Sequence, residues 1–425
     1  MHPQHPQPTN RDPGHLLAFA RDVAAQLRGK GHDALFAGGC VRDRLLGRVP
    51  KDYDIATSAK PDEVEQTFRG RDTYTVPVGA AFGVICVVDP KTKMQVEVAT
   101  FRSDGAYLDG RRPVNVTFST PQEDAQRRDF TINGLFLDPE SDQIIDYVDG
   151  RKDLDAGIVR AIGNPQARFT EDKLRLLRAV RFTATLGFEL EEKTQAAIQI
   201  MPEALRMVSA ERITAELERM LLDKSRAQGL QLLHDVGLLP MLFPESTEPP
   251  SEHAFAQVLS IEAHLTTPSF PLSLAPLLAA VTDARGAKDL AKKWRLSSRQ
   301  ANRVGWLVEN HEALHAAPTQ HWPTVQRMLI HEGRDELIGL LAAQTACQQT
   351  DAADLAFCRE RIAWPVEKLN PPPLLTGDAL IEAGLLPGKK FAHLLDAVRD
   401  AQLEGEITTS EEALQYAKKI AAESS

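Results

Sequence analysis

The chain has 425 residues, too many for one ordinary hydrophobic core, so two to four domains are expected. Its 49 basic and 59 acidic side chains leave a net charge of −10, so any nucleic-acid contact must use a local basic surface rather than bulk charge. No apolar run approaches the roughly 18 residues of a membrane span, and no membrane or protein partner is announced. The four cysteines, Cys40, Cys86, Cys347 and Cys358, form no CxxC or zinc spacing and read as reduced, mostly buried thiols of a cytoplasmic protein.

Residues 1–13 are rich in Pro, Gln and His and read as a disordered tail. Apolar residues from Leu16 to Leu27 recur at helical spacing. Ala34–Ala37 then reads as a short buried strand, Gly38-Gly39 as a turn, Val41–Leu46 as a helix and Tyr53-Asp54-Ile55 as the next strand. Pro61–Phe68 is a further helix with Pro61 in its first turn and Ser58 as a candidate cap. Val84–Val88 and Met94–Val98 flank Asp89-Pro90-Lys91 as an antiparallel hairpin, in which Glu97 shares a face with Gln95, away from Val96 and Val98. A polar loop spans 103–120, and Ile144–Val148 is the last expected strand. Beyond about residue 165 strand patterns essentially stop, and amphipathic helices follow, split by Pro-bearing breaks near 243–250, 267–275 and 371–373.

Three constellations carry chemistry. Asp52 and Asp54 are spaced i, i+2, which turns both carboxylates to one face of a strand, next to a glycine turn whose backbone can approach an anion. With Arg42 and the hairpin carboxylate Glu97, this is a candidate site for Mg²⁺ and a nucleoside triphosphate. An Asp-x-Asp alone would be an ordinary acidic turn, and it is the combination that favours phosphoryl transfer. The second constellation is Arg127–Asn133, read either as an Asp129–Arg pair at a helix start or as an Arg gripping phosphate; the spacing allows both.

The third is Glu171–Phe182, a single helix by propensity. At about 100° per residue Asp172, Arg175 and Arg178 cover one side, opposite Leu176, Leu177 and Val180, whereas Arg181 falls about 180° from Asp172, near the apolar stripe. Asp172 and Arg175 are ordinary i, i+3 ion-pair partners. They are also a donor and an acceptor side by side, matching the acceptor and amino edges of cytosine and adenine and mismatching those of uracil and guanine.

Taken together these segments resemble the class II tRNA nucleotidyltransferases, the family of CCA-adding enzymes and poly(A) polymerases. The match runs from Gly38–Asp43 with Asp52 and Asp54, through Glu97, Thr100–Arg102, Arg127–Asn133, Asp149-Gly150 and Asp153-Leu154, to Glu171–Phe182. Gly377–Leu380 with Gly384, Gly388 and Lys389 resembles the tail segment of bacterial CCA-adding enzymes. The resemblance implies an α/β catalytic head of the polymerase-β-type nucleotidyltransferase fold, a small mixed sheet with helices, over 14–155. All-α neck (156–225), body (226–365) and tail (366–425) regions would follow, the tail binding tRNA. It assigns Asp52 and Asp54 to catalytic metal and Glu97 to the third carboxylate. Gly39, Arg42 and Arg128 would hold triphosphate or sugar; Asp172 and Arg175 would read the base, with Arg178 and Arg181 completing the pocket.

The implied activity is Mg²⁺-dependent addition of C and A from CTP and ATP to the 3′ acceptor end of tRNA, with pyrophosphate released. Val78–Gly83 resembles CCA-adding enzymes and lacks the arginine-rich stretch of bacterial poly(A) polymerases, and the loop Arg102–Pro113 is not shortened as in CC-only relatives. Poly(A) polymerase, A-only addition and a non-catalytic RNA-binding protein are the alternatives. No His-Asp pair of an appended phosphohydrolase is evident, so no phosphatase activity is expected. In the C-terminal half one basic run, from Arg285 to Arg303 with Lys292, Lys293 and Arg295 at its centre, is either a solvated helix face or a contact for tRNA.

Overall fold

The computed structural model describes residues 13–70, 72–79, 83–105, 116–244, 247–383 and 390–423. The chain divides into two compact units, Met1–Glu245 and Ser246–Ser425.

The first unit is built on a mixed sheet. Helix α1 (Pro13–Arg28) leads into β1 (Ala34–Ala37), α2 (Gly39–Leu45), β2 (Asp54–Thr57), α3 (Pro61–Phe68) and β3 (Tyr74–Gly79). Then come β4 (Val84–Val88), β5 (Gln95–Thr100), β6 (Arg102–Asp104), β7 (Val116–Phe118), α4 (Pro121–Gln126), β8 (Phe136–Leu137) and β9 (Ile144–Ile145). Seven strands form one sheet in the order β3-β4-β5-β2-β1-β8-β9, in which β2 and β5 run parallel and the other neighbours antiparallel. The β4–β5 hairpin has the expected alternation, with Val96 and Val98 fully buried and Gln95 and Glu97 exposed. Leu35, Ala37, Ala56, Phe101, Ala125 and Phe136 form a core cluster on the sheet, so burial of these side chains fixes which way the intervening residues face.

Several local expectations change. Lys60, not Ser58, sits at the N-cap of α3, where its backbone N–H donates to Glu63; the Ser58 hydroxyl instead accepts from the Asp33 amide, tying β1 to β2. The polar stretch after residue 101 contains an antiparallel pair, β6 with β7, and its residues 106–115 lie outside the described set, as do 80–82 of the Val78–Gly83 segment. The last expected strand is reduced to Ile144-Ile145, because the Asp146 carboxylate accepts the amides of Val148, Gly150 and Arg151 and turns the chain into helix α5 (Gly150–Ala156).

After α5 the unit is mostly helical, with one short parallel pair of β10 (Ile158–Val159) and β11 (Glu189–Leu190) inside the region expected to be all-α. Its helices are α6 (Pro165–Glu171), α7 (Leu174–Leu186), α8 (Glu192–Ile200), α9 (Ala210–Leu221) and α10 (Arg226–Asp235). The single helix read over 171–182 is two helices. Asp172 has extended backbone angles, and its Oδ1 accepts the amide of Leu174, the first residue of α7. Asp favours such end positions because its short carboxylate competes for backbone N–H groups.

The second unit is helical throughout its described residues. It contains α11 (Glu252–His264), α12 (Phe270–Ala279), α13 (Ala284–Lys293), α14 (Ser298–Glu309), α15 (Trp322–Ile330) and α16 (Arg334–Ala346). These are followed by α17 (Ala352–Ile362), α18 (Val366–Leu369), α19 (Gly377–Glu382), α20 (Lys390–Glu404) and α21 (Ser410–Glu423). The last three helices enclose a small core of their own, built from Leu375, Leu380, Val398, Ala401, Ile407, Ala413 and Ala417. Gly384, Gly388 and Lys389 of the tail motif lie outside the described residues. Among the described residues no helix is long and apolar enough to cross a membrane.

Candidate active site

One cavity of about 770 Å³ in the first unit gathers most of the residues that the sequence singles out. Asp52, Asp54, Glu97, Gly39, Arg42, Arg128, Asp172, Arg175, Arg178 and Arg181 all line it. Lys292, Lys293 and Arg295 belong to the second unit, at the end of α13 and just beyond it.

The acidic wall is made by strand register. Buried Tyr53, whose ring packs 5.2 Å from that of Phe36, separates Asp52 from Asp54, so the two carboxylates share the opposite, accessible side. Asp54 is the register partner of Glu97 across the parallel β2–β5 pair, and neighbouring strands lie roughly 4.8 Å apart. The consequence is like-charge crowding. Water reaches Asp54, yet the cavity walls replace much of its hydration; that burial, with Asp52 and then Glu97 adding repulsion and Arg128 partly opposing, pushes its carboxyl up to about 7. Burial likewise pushes the Cys40 thiol behind the turn up to about 12, which keeps it protonated and inert.

Gly38 joins β1 to α2 with φ of +73°, and a Cβ there would lie 2.8 Å from Nη1 of Arg128. Glycine is needed on both counts, for the left-handed backbone and for the approach of the guanidinium. Arg128 is oriented by two donations to Asp124, at 2.9 and 3.2 Å, and one to the Asn133 carbonyl. Arg127 grips the other oxygen of the same buried Asp124, so a single carboxylate braces both arginines. Arg42 donates to Asn133 Oδ1 at 2.7 Å and to Asp43 Oδ1 at 2.6 Å. Asp129, read as a partner for a neighbouring Arg, instead receives Arg178 through two hydrogen bonds of 2.6 and 2.9 Å.

The opposite wall is basic, and each of its arginines is held by an acid. Arg175 is nearly buried and donates to Glu171 at 2.9 Å and to the carbonyls of Arg168 and Arg127. Asp172 accepts from Arg212 at 2.8 Å. The i, i+3 pair of Asp172 with Arg175 that the spacing permits is therefore not formed, and the two side chains line the cavity held by different partners. Glu216, 2% exposed, accepts from Arg178, Arg181 and Arg219 at once. Burial alone would raise the Asp129 carboxyl, but Arg178 and Asn133 override it and hold it well below the usual carboxylate range. The Arg178 guanidinium, disfavoured by burial, is held charged by Asp129 and Glu216. Burial lowers Arg181, with Glu216 opposing.

Arg181, which an ideal helix puts near the apolar stripe, reaches the cavity by lying over the face of Phe182, 4.0 Å from the ring centroid. Arg42 and Arg178 each lie 5.1 Å from the same ring. The sequence reading did not single out Phe182, Arg212, Glu216 or Arg219 as site residues. A heptad-like spacing of Arg212, Glu216 and Arg219 on one side of α9 was the available signal.

Metal fit can be judged from the donors. Among the described residues no three Asp, Glu, His or Cys side chains form a ready-made cage. Mg²⁺ seldom uses one: it is usually held by one or two carboxylates and by substrate phosphates. Asp52 and Asp54 have no ion pair among the described residues, and burial together with the neighbouring carboxylates of Asp52 and Glu97 raises the Asp54 carboxyl. The donor set fits a hard divalent cation arriving with a triphosphate.

Comparison with known proteins bears on the family and the fold. Residues 34–160 match the family model described as the Poly A polymerase head domain, and residues 187–248 match that described as the "Probable RNA and SrmB- binding site of polymerase A". The chain is 33% identical over 403 residues to the CCA-adding enzyme of Enterococcus faecalis, covering 94% of this chain and 95% of that one. It is 33% identical over 401 residues to that of Geobacillus kaustophilus, covering 93% and 95%. The crystal structure of Bacillus stearothermophilus CCA-adding enzyme in complex with CTP superposes with a TM-score of 0.76 at 28% identity, over 98% of this chain and 99% of that one. Thermotoga maritima CCA-adding enzyme complexed with tRNA shares the fold, with a TM-score of 0.64 at 22% identity over 97% and 99% of the two chains. A seven-stranded mixed sheet carrying paired aspartates, an arginine wall and near-full-length likeness to these enzymes converge: the chain belongs to the CCA-adding enzymes, nucleotidyltransferases of the poly(A) polymerase head-domain family.

Proposed function

We propose that this protein adds C and A nucleotides from CTP and ATP to the 3′ end of tRNA without a nucleic-acid template. The observation that carries the reading is one cavity whose acidic wall and hydrogen-bonding basic wall face the same space. The tRNA bound in the Thermotoga structure suggests the primer, and the bound CTP in the Bacillus structure suggests a substrate. Residues 14–155 would serve as catalytic head, 156–225 as neck, 226–365 as body and 366–425 as tail, and the protein would work in the cytoplasm.

Asp52 and Asp54 would hold Mg²⁺, with Glu97 as the third carboxylate. When bound, the metal offsets charge on the triphosphate and lowers the pKa of the attacking hydroxyl. Gly39 offers backbone to the phosphates, and Arg42 and Arg128, braced by Asp43, Asn133 and Asp124, offer fixed guanidinium planes. Asp172 and Arg175 read the base edge. Two of the roughly four lone-pair directions of Asp172 are used, by Leu174 and Arg212, and the remainder can accept the amino group of cytosine or adenine. A carbonyl in that place would set two acceptors against each other, which disfavours uracil and guanine. Arg178 and Arg181, held by Asp129 and Glu216, complete the pocket behind the base.

The test uses transcripts ending before CCA, after C and after CC, incubated with CTP, ATP or both, and sequencing of the products. Ordered CCA completion is the expected result. Long A tails would identify a poly(A) polymerase, A added only after CC an A-adding enzyme, and no incorporation a non-catalytic RNA binder.

A further inference from the structure

Phe182 belongs to α7 and lines the active-site cavity, and three guanidiniums converge on its ring. Arg181 lies 4.0 Å from the ring centroid, and Arg42 and Arg178 each lie 5.1 Å from it. Arg42 comes from α2, just after the Gly38 turn, whereas Arg178 and Arg181 come from α7. One ring is thus shared by the segment that offers groups to the phosphates and the helix that completes the base pocket. The ring is itself held in place: it is 6% exposed and meets the fully buried ring of Phe130 edge to face, with centroids 5.8 Å apart.

Three cations this close repel one another. Burial lowers Arg181, Glu216 opposes the shift, and the neighbouring Arg178 lowers it further. Carboxylates relieve part of the repulsion, Asp43 at Arg42, Asp129 at Arg178, and Glu216 between Arg178 and Arg181. Each such bond takes N–H donors and cancels charge, so another acid in place of the ring would leave less of both for a substrate. Arg42 already spends three hydrogen bonds on Asp43 and Asn133, and Arg178 spends three on Asp129 and Glu216. An aromatic face attracts a guanidinium through its quadrupole without neutralising it and without taking the N–H donors that lie in the guanidinium plane. An alkyl side chain of similar size would fill the space and attract nothing. Stacking of the ring on a nucleobase is disfavoured, because guanidiniums already lie over it.

We infer that Phe182 is a positioning residue for the incoming nucleotide, its ring holding Arg42, Arg178 and Arg181 at a fixed spacing while leaving their charge and remaining donors to the substrate. The inference deepens the reading of this cavity as the CTP and ATP site and rests on it. None of the three arginines is one that reads the base edge, so the contribution of the ring is the same for CTP and for ATP. Phe182 sets how tightly a nucleotide is held, and Asp172 sets which nucleotide it is. Cations arranged in advance of binding cost the complex less reorganisation, which is where the affinity comes from.

The experiment is equilibrium binding of CTP and of ATP, each with Mg²⁺, to full-length protein carrying at position 182 either phenylalanine or its mono-, di- and trifluorinated forms. Each fluorine withdraws electron density from the ring face at nearly constant size, so a cation contact weakens stepwise while packing hardly changes. Log affinity should fall in step with the number of fluorines, to a loss of about tenfold with three, equal for CTP and ATP. Phe182→Met, which fills a similar space without a ring, should lose at least as much affinity and raise KM for both nucleotides alike, with the ratio of CMP to UMP incorporated left as in the wild type. A flat fluorine series would overturn the inference even if Phe182→Met binds poorly, because the ring would then only fill space. A loss confined to one of the two nucleotides would overturn it as well, by setting the ring against the base. If the wild-type protein binds neither CTP nor ATP, it is the proposed function that fails, and the two failures are thus told apart.

Discussion

The two walls of the active-site cavity handle charge in opposite ways. On the basic wall every arginine is matched: Arg175 with Glu171, Arg178 with Asp129, Arg181 with Glu216, and Arg212 with Asp172. On the acidic wall Asp52 and Asp54 are crowded against one another and against Glu97, with no ion pair for either aspartate among the described residues. A matched wall is rigid before substrate arrives and loses little entropy on binding, as a template for a base should. A crowded wall is incomplete by itself and gains stability when cations arrive, as a metal and triphosphate site should. Five substitutions on the two walls probe this contrast, from the largest expected effect to the smallest, and one triple change in the second unit follows them.

Asp54→Ala should reduce nucleotide addition at least ~10⁴-fold in single-turnover assays, because loss of a metal-binding carboxylate removes charge stabilisation worth several kcal/mol. For stability the crowded acidic wall has the opposite sign. The folded-state value of about 7 lies above the unfolded one of about 3.9, so folding disfavours the ionised carboxyl. That penalty grows as pH rises from about 4 and is complete above about 7. Asp54→Asn should therefore raise the melting temperature in chelator at pH 8 and leave it nearly unchanged at pH 4; a fall at pH 8 would show that Asp54 is not strained.

On the matched wall the sign reverses. Glu216→Ala strips three arginines of a shared buried acid and should cost about 3–5 kcal/mol in denaturant unfolding, the usual loss when one partner of a buried ion pair is removed. Asp129 adds a pH signature. Its folded value lies below the unfolded one, so its stabilising contribution is complete above about pH 5 and is lost as pH falls through the acid range. Asp129→Asn should flatten the fall in stability below pH 5, and an unchanged acid limb would remove Asp129 from the account.

Asp172→Ala should leave metal-dependent chemistry largely intact and relax base choice by about 10–100-fold, read as UMP and GMP incorporation relative to CMP. Equal losses for all four nucleotides would instead make Asp172 a structural anchor for Arg212. The smallest effect is expected in the second unit, where Lys292, Lys293 and Arg295 changed together to Ala should weaken tRNA binding and flatten its salt dependence. Lys292 is drawn toward Asp289 at 3.3 Å, which reduces its share. Unchanged affinity across the salt series would return this run to a solvated helix face.

How much of this was legible in the sequence follows from the range of the interactions. The β1–turn–α2–β2 path and the outward face of Glu97 depend on period-2 alternation and a Gly-Gly turn, which are local, and they were readable. The break at Asp172 was not, because Glu171–Phe182 has helical propensity throughout and the interruption depends on one Asp side chain capturing the Leu174 amide. The partners of the arginines were hidden for a different reason. Asp129 to Arg178 spans 49 residues and Glu216 to Arg181 spans 35, and nothing in a single sequence says which distant acid meets which base. Lys60 displaced Ser58 as the cap of α3 because the Ser58 hydroxyl was taken by the amide of Asp33, 25 residues back, which local pattern cannot see.

The Asp54–Glu97 register has one more consequence. The two carboxylates come from strands 43 positions apart in the chain and meet only because β2 and β5 are aligned residue for residue. A slip of one residue would turn Glu97 into the core and set Val98 at the cavity, since side chains alternate with period 2. Turnover is therefore a proofreading signal for the sheet: a molecule paired one step out of place would be assembled, and silent.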